Sequence, residues 1–215
     1  MEITPGIAEL VGVIIGDGHI YRKNRKYQIG VTGNPITDRE YFEKLKILIF
    51  KEWKKEVKIK IGGRGLRIVF DSKEICSFLI NDLKMFHGRG KCEKTEIPEI
   101  IYNDPILVKH TIRGIADTDG SVFVSKKPGI EKYPSIEITT TSKNLASQIS
   151  QTFISKGFKV SKRNHQSKKL NSLRAYKISL YGNKNLLMWM KEISFSNPYK
   201  RNRALSYLKN AEINL

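Results

Sequence analysis

Two aspartates, Asp17 and Asp119, each end a nonamer of the same design, LVGVIIGDG at 10–18 and IRGIADTDG at 112–120, matched position for position at an offset of 102. One Asp-Gly after an apolar helix is an ordinary turn; a matched pair in one chain invites chemistry. Gly12 and Gly16 lie four apart, as do Gly114 and Thr118. Each helix therefore presents a stripe of small residues on which a partner backbone can approach closely. Packed stripe to stripe, the helices bring their C-terminal ends, and with them Asp17 and Asp119, side by side. Two carboxylates that close, beside the negative ends of two helix dipoles, raise one another's pKa unless a cation neutralises them. Mg²⁺ suits such a place, because hard divalent cations take carboxylate and carbonyl oxygens and keep several waters. Gly16 and Thr118, each one residue before its aspartate, join the two acids in the candidate metal set.

The elements that must position these residues occur twice. Thr4-Pro5 and Asp104-Pro105 are each a capping residue followed by proline at the first helical position. After each motif helix the patterning predicts a hairpin, an amphipathic helix and a second hairpin: about 19–33, 37–55 and 57–70, then about 121–140, 142–156 and 158–180. Third helices are expected at about 72–84 and 184–193, and a last one over 198–210. Gly18 and Gly120 are read as helix stops in the left-handed conformation. The fold class expected is α+β, two pseudo-symmetric αββαββα repeats over 1–86 and 104–215, the latter with a C-terminal helix, joined by a linker over 87–103.

Composition narrows the partner. The 215 residues carry 39 Lys+Arg against 21 Asp+Glu, a net charge of +18. The imbalance is concentrated: residues 1–108 hold 19 basic and 15 acidic side chains, residues 109–215 hold 20 and 6, and Ile138 to Lys191 holds eleven Lys/Arg with no acid. Period-two alternation, as in Val57, Ile59 and Ile61 against Lys58 and Lys60, makes one face of each sheet apolar and the other basic. A folded basic surface of this kind expects a polyanion. Cys76 and Cys92 lack disulfide-framework or zinc-ligand spacing. No apolar run reaches the ~18 residues of a membrane span, and the start of the chain lacks a secretory pattern. No membrane partner and an intracellular location are therefore expected.

The paired nonamers, each followed by the same ββαββα pattern in a basic chain, resemble the motifs of the LAGLIDADG homing endonucleases in their single-chain, two-repeat form, over nearly the whole sequence. The resemblance implies that the motif helices form the interface between the halves and that two curved antiparallel sheets make a saddle along the DNA major groove. It implies that Asp17 and Asp119 bind divalent metal (Mg²⁺, or Mn²⁺ or Ca²⁺ in crystals) at the scissile phosphates of double-stranded DNA. A monomer making a staggered break by two-metal hydrolysis follows. Family pattern also suggests a lysine near the metals in each repeat, here Lys91 and Lys200, to stabilise transition-state charge or polarise water. Where many relatives carry a water-organising Gln, this chain has Thr32-Gly33 and Thr139-Thr140. Asp117, in the motif place held by Ile15 in the first repeat, is read as a helix-end polar contact.

DNA contacts are expected from outward strand positions and hairpin tips: Arg22, Lys23, Arg25, Lys26, Gln28, Lys58, Lys60, Arg64 and Arg67 in the first half, and Lys126, Lys127, Lys159, Arg163, Arg174 and Lys177 in the second. The 164–172 tip is expected to reach distal bases. Arginine and glutamine read base edges, whereas lysines mostly meet phosphates. Two other functions use the same scaffold with idle carboxylates: a maturase binding its host intron RNA, and a non-cleaving DNA-binding protein.

Overall fold

Both motif stretches fold as helices begun by the residues expected to begin them. In the computed structural model, α1 (Pro5–Ile15) starts with Thr4, whose hydroxyl accepts the Ile7 N–H at 3.1 Å. Asp104 Oδ1 accepts the Ile106 and Leu107 N–H groups at 2.8 and 2.9 Å, and the motif helix Pro105–Thr118 follows. Such caps stabilise a helix by about 1 kcal/mol each. The structure describes residues 1–63, 65–88, 90–166 and 173–212, without the side chains of 130–132 and 209–212.

The first repeat continues through β1 (Gly18–Lys23), β2 (Lys26–Gly33), α2 (Arg39–Trp53), β3 (Ile59–Gly62) and β4 (Gly65–Asp71). Its third helix, α3 (Lys73–Ser77), runs into a wider π-helical turn over Phe78–Asp82, so that Phe78, Leu79 and Leu83 all reach the core. Two short helices, α4 (Lys91–Lys94) and α5 (Glu99–Tyr102), occupy the stretch expected as a linker. The second motif helix is α6, followed by β5 (Gly120–Lys127), β6 (Ile130–Thr140), α7 (Lys143–Ser155), β7 (Val160–Gln166), β8 (Arg174–Tyr181), α8 (Asn183–Glu192) and α9 (Pro198–Glu212). The strands form two four-stranded antiparallel sheets of matching order, β1-β2-β4-β3 and β5-β6-β8-β7.

One apolar cluster, from Ile7 to Ala204, fills both repeats. The motif helices lie at its centre: every residue of α1 from Ile7 to Ile15 is buried, including Glu9. Their backbones meet as the small-residue stripes require. A Cβ on Gly12 would fall on the Thr111 carbonyl, and one on Gly114 would fall on the Glu9 carbonyl. The Thr111 hydroxyl also donates to the Ala8 carbonyl at 2.9 Å. Glu9 ionises below the usual carboxylate range: burial resists it, but the hydrogen bond from His110 and the charge of Arg113 outweigh that cost.

Gly18 and Gly120 are not left-handed helix stops. Neither has a positive φ; each opens a strand that turns straight back over its helix. A Cβ on Gly18 would stand 2.5 Å from the Ile14 Cα, and one on Gly120 would stand 2.8 Å from the Ala116 Cα. Glycine is required there by close approach, not by backbone conformation. Among the described residues no helix is long and apolar enough to cross a membrane.

Candidate nuclease centre and nucleic-acid interface

At the shared end of α1 and α6 the two halves interlock. A Cβ on Gly16 would fall on the Thr118 hydroxyl and stand 3.4 Å from Asp119 Oδ2. The Asp119 carboxylate therefore lies against the residue preceding Asp17, and both aspartates are open to solvent. Crowding shows in their acidity. Asp119 is pushed up to about 6, by burial first and then by the charge of Asp17, with Lys91 and Lys200 pulling the other way. Asp17 is raised by burial and by Asp38, against Lys200 and Lys91.

Two lysines close the ends of the two motif helices in the same manner. Lys91 Nζ donates to the carbonyls of Ile14, Gly16 and Gly18 at 2.5, 3.2 and 2.5 Å. Lys200 Nζ donates to those of Ala116 and Thr118 at 3.0 and 2.8 Å. Ile14 and Gly16 match Ala116 and Thr118 at the motif offset, so the second-repeat lysine repeats two of the three bonds of the first. These are the orphan carbonyls of a helix end, where a cation is favoured by the dipole as well. Burial lowers both lysine pKa values, while the neighbouring carboxylates oppose the loss of the proton. Lys91 sits in α4, so the stretch expected as a linker supplies part of the site.

Asp117 takes the structural part expected of it. Nearly inaccessible, it accepts the backbone N–H groups of Ser196 and Asn197 at 3.0 Å each. It thereby fixes the turn into α9, the helix that carries Lys200. Burial pushes its pKa up to about 7, against those two hydrogen bonds.

The carboxylates of Asp17 and Asp119 are oxygen donors that could hold a divalent cation, beside the Gly16 and Thr118 carbonyls that also accept from Lys91 and Lys200. Among the described residues no three His, Cys, Asp or Glu side chains gather as a metal cluster. So few protein oxygens suit Mg²⁺, which keeps much of its hydration, better than an ion needing a full protein cage. Burial and the Asp17 charge, which raise the Asp119 pKa, are costs that a bound cation would offset.

Beside the site lie the sheets. Ile29, Val31, Leu66 and Ile68 in the first, and Ile136, Ile138, Ile178 and Leu180 in the second, are buried beneath helices. The alternate residues form an open face leading away from the aspartates. Matching rows cross it: Thr32, Arg67 and Lys60 in one sheet, Thr139, Lys177 and Arg163 in the other.

Residues 108–194 match the family model described as a LAGLIDADG-like domain. That match places a LAGLIDADG-like domain over the second repeat. Over 209 residues, 97% of its length, it is 30% identical to part of the replication factor C small subunit of Methanocaldococcus jannaschii, and 27% identical to part of that of Thermococcus kodakarensis. It spans only 10% and 22% of those relatives. Among solved structures, the homing endonuclease I-DmoI in complex with DNA and Ca is similar at a TM-score of 0.61 and 18% identity, covering 94% of this chain and 97% of that one. The meganuclease I-SmaMI bound to uncleaveable DNA gives 0.59 at 15% identity, covering 99% and 92%. At such identities the likeness is one of fold: two LAGLIDADG repeats in a single chain.

Within the LAGLIDADG frame the expected DNA contacts separate by face. Lys23 pairs with Lys26, and Gln28 with Tyr21, on the open face of the first sheet, together with Lys60 and Arg67. Lys58 is exposed just ahead of β3, in step with Lys60. Arg25 sits at the tip of a two-residue turn in which it and Asn24 both take positive φ, 63° and 49°. In the second sheet Arg163 and Lys177 lie on the open face, while Lys127 covers the Tyr133 ring at 4.5 Å. Lys159 is exposed just before β7, its backbone held by Asn185.

Two expected contacts lie elsewhere, and a third sits at an irregularity. Arg22 shares the parity of buried Ile20 and turns to the helix side, over the Tyr27 ring and toward Asn81 Oδ1 at 3.4 Å. Arg174 shares the parity of Ile178 and Leu180 and reaches Gln166. Lys126 is exposed where the β5–β6 register shifts between Ser125 and Lys127. A strand allows only alternate residues on one face, so choosing basic residues without regard to parity misplaces Arg22 and Arg174. Arg64 and most of the 164–172 tip fall outside the described residues.

Other site neighbours were not singled out by the sequence. His19 stands over Gly30, where a Cβ would strike its ring. Asp38 accepts the Asn34 N–H at 2.8 Å and the Asn197 side-chain amide at 3.1 Å, joining the halves. The sequence signal for His19 was its place directly after the motif; Asp38 and Asn197, 159 residues apart, had none.

Proposed function

We propose that this protein is a site-specific double-stranded DNA endonuclease, acting as a monomer and making a staggered break by hydrolysis that depends on a divalent cation, Mg²⁺ or Mn²⁺. The observation that carries this reading is the pair of accessible aspartates at the crossing of two helices whose ends are each closed by a lysine. Two basic sheets leading away from that point suit a duplex.

Asp17 and Asp119, with the carbonyls of Gly16 and Thr118, would hold the cations. A cation held there would supply a water of lowered pKa and a counter-charge for the leaving oxygen. The hydrolysis adds water to phosphorus, breaks the bond to the 3′ oxygen and leaves a 5′ phosphate. Lys91 and Lys200 would supply positive charge beside the two aspartates, where charge grows as the bond breaks. Lys91 weighs more than Lys200 on Asp119, and Lys200 more than Lys91 on Asp17.

The test is cleavage of a duplex selected from a randomised pool by the full chain. Wild type should linearise a plasmid carrying that sequence with Mg²⁺ and leave it whole in chelator. Asp17→Asn and Asp119→Asn should each lower double-strand cutting by at least about a hundredfold, the scale of losing a group that stabilises developing charge. Tight binding of the selected duplex with no cutting in Mg²⁺ or Mn²⁺ would move the protein to the non-cleaving DNA binders.

A further inference from the structure

One open-face row beyond those of Thr32 and Thr139, which stand opposite Asp17 and Asp119, the two halves differ in kind. In β6, Glu137 pairs with Ser121 of β5 and Ser179 of β8. The matching row of the first sheet is His19, Gly30 and Val69, since Gly18 pairs with Val31 as Gly120 pairs with Ile138. Buried Ile136 and Ile138 flank Glu137 in sequence; by alternation its side chain stands on the open face, in step with Asp119.

A carboxylate on a surface suited to phosphates weakens the attraction for every duplex. It gains something only from a hydrogen-bond donor, and phosphates offer none. The group is also held in place. Lys177 Nζ donates to Oε1 at 3.0 Å and Ser179 Oγ donates to Oε2 at 2.9 Å. Its side chain is 17% exposed, that of Lys177 42%. Since a carboxylate oxygen accepts about two hydrogen bonds, each Glu137 oxygen has an acceptor direction to spare.

In the major groove the donors are the exocyclic amines of cytosine and adenine, and the usual base partner of Glu is cytosine N4. Lys177, 3.0 Å away, matches the guanine O6 that lies beside that amine in the same base pair. The geometry points to Glu137 as a specificity-determining residue that selects cytosine in the half-site under the second sheet, with Lys177 donating to the paired guanine. Two residues along β5 from Asp119 is ~7 Å, about two base-pair steps from the phosphate facing Asp119. At the same step the first sheet has no carboxylate, so the two half-sites are read differently and the target has a direction.

This inference rests on the DNA-cutting reading above, and one selection separates their failures. The full chain, wild type or Glu137→Gln, is offered a randomised duplex pool in chelator, and the bound fraction is sequenced. Wild type should prefer cytosine at one position of one half-site by about tenfold or more. Glu137→Gln, nearly the same shape, should move that position to adenine, which Gln reads with N6 and N7, and leave every other position unchanged. Glu137→Ala should erase the preference while tightening binding to all sequences. A wild-type preference for another base there, or a profile that Glu137→Gln does not alter, overturns the assignment of Glu137. Absence of any sequence-selective duplex binding by wild type overturns the endonuclease reading itself, and this inference with it.

Discussion

Asp119 illustrates how a residue made for charge behaves without its counter-charge. Its folded pKa of about 6 stands above the unfolded value of about 4. Between those values the folded chain binds more protons than the unfolded one, so stability falls as pH rises through that window and stays lower above it. Asp119→Asn removes the penalty. In chelator, the variant should melt above wild type at about pH 7.5, and the difference should close at about pH 4. Thermal melts at the two pH values check this; a variant no more stable at the higher pH would mean that Asp119 is not crowded. Divalent cation should reverse the order, since wild type alone keeps both ligands and is stabilised by whatever binds the folded state.

Elements meet here through absent side chains. Gly12 and Gly114 let the backbones of α1 and α6 touch, and a methyl on either would fall on a carbonyl of the opposite helix. Gly114→Ala should therefore cost about 1–3 kcal/mol, the range for overpacking a tight interior, read as a lower urea midpoint at unchanged slope. It should also reduce cleavage, because separating the helices separates the aspartates. The paired motif made these two glycines legible before any coordinates. The reason for Gly18 and Gly120 was not legible, because a strand folding back over its own helix is a tertiary event that sequence spacing does not show.

For the molecule as a whole, the basic faces act by releasing counterions from the duplex. Binding should weaken steeply with salt, with a slope of log K against log salt of about −0.9 for each phosphate neutralised. Lys60→Ala and Arg163→Ala, matched places on the two open faces, should each make that slope shallower by about one. Arg22→Ala should leave it as it was, because Arg22 faces Tyr27 and Asn81 behind the sheet. Filter binding over a salt series measures all three.

Local order and periodicity, carried by the chain itself, determined the two repeats, their capped motif helices, the alternating strands and the pairing of Asp17 with Asp119. Those features depend on neighbours a few residues apart or on a repeated pattern, and both are written in sequence. Tertiary structure decided which charge faces which. It turned Arg22 and Arg174 away from the open faces, brought Asp38 to Asn197 across 159 residues, and set Lys177 and Ser179 around Glu137. It also drew Lys91 from an expected linker onto the carbonyls of α1. Such contacts are set by strand register and by the packing of distant segments, and the free energy that fixes them belongs to the assembled core.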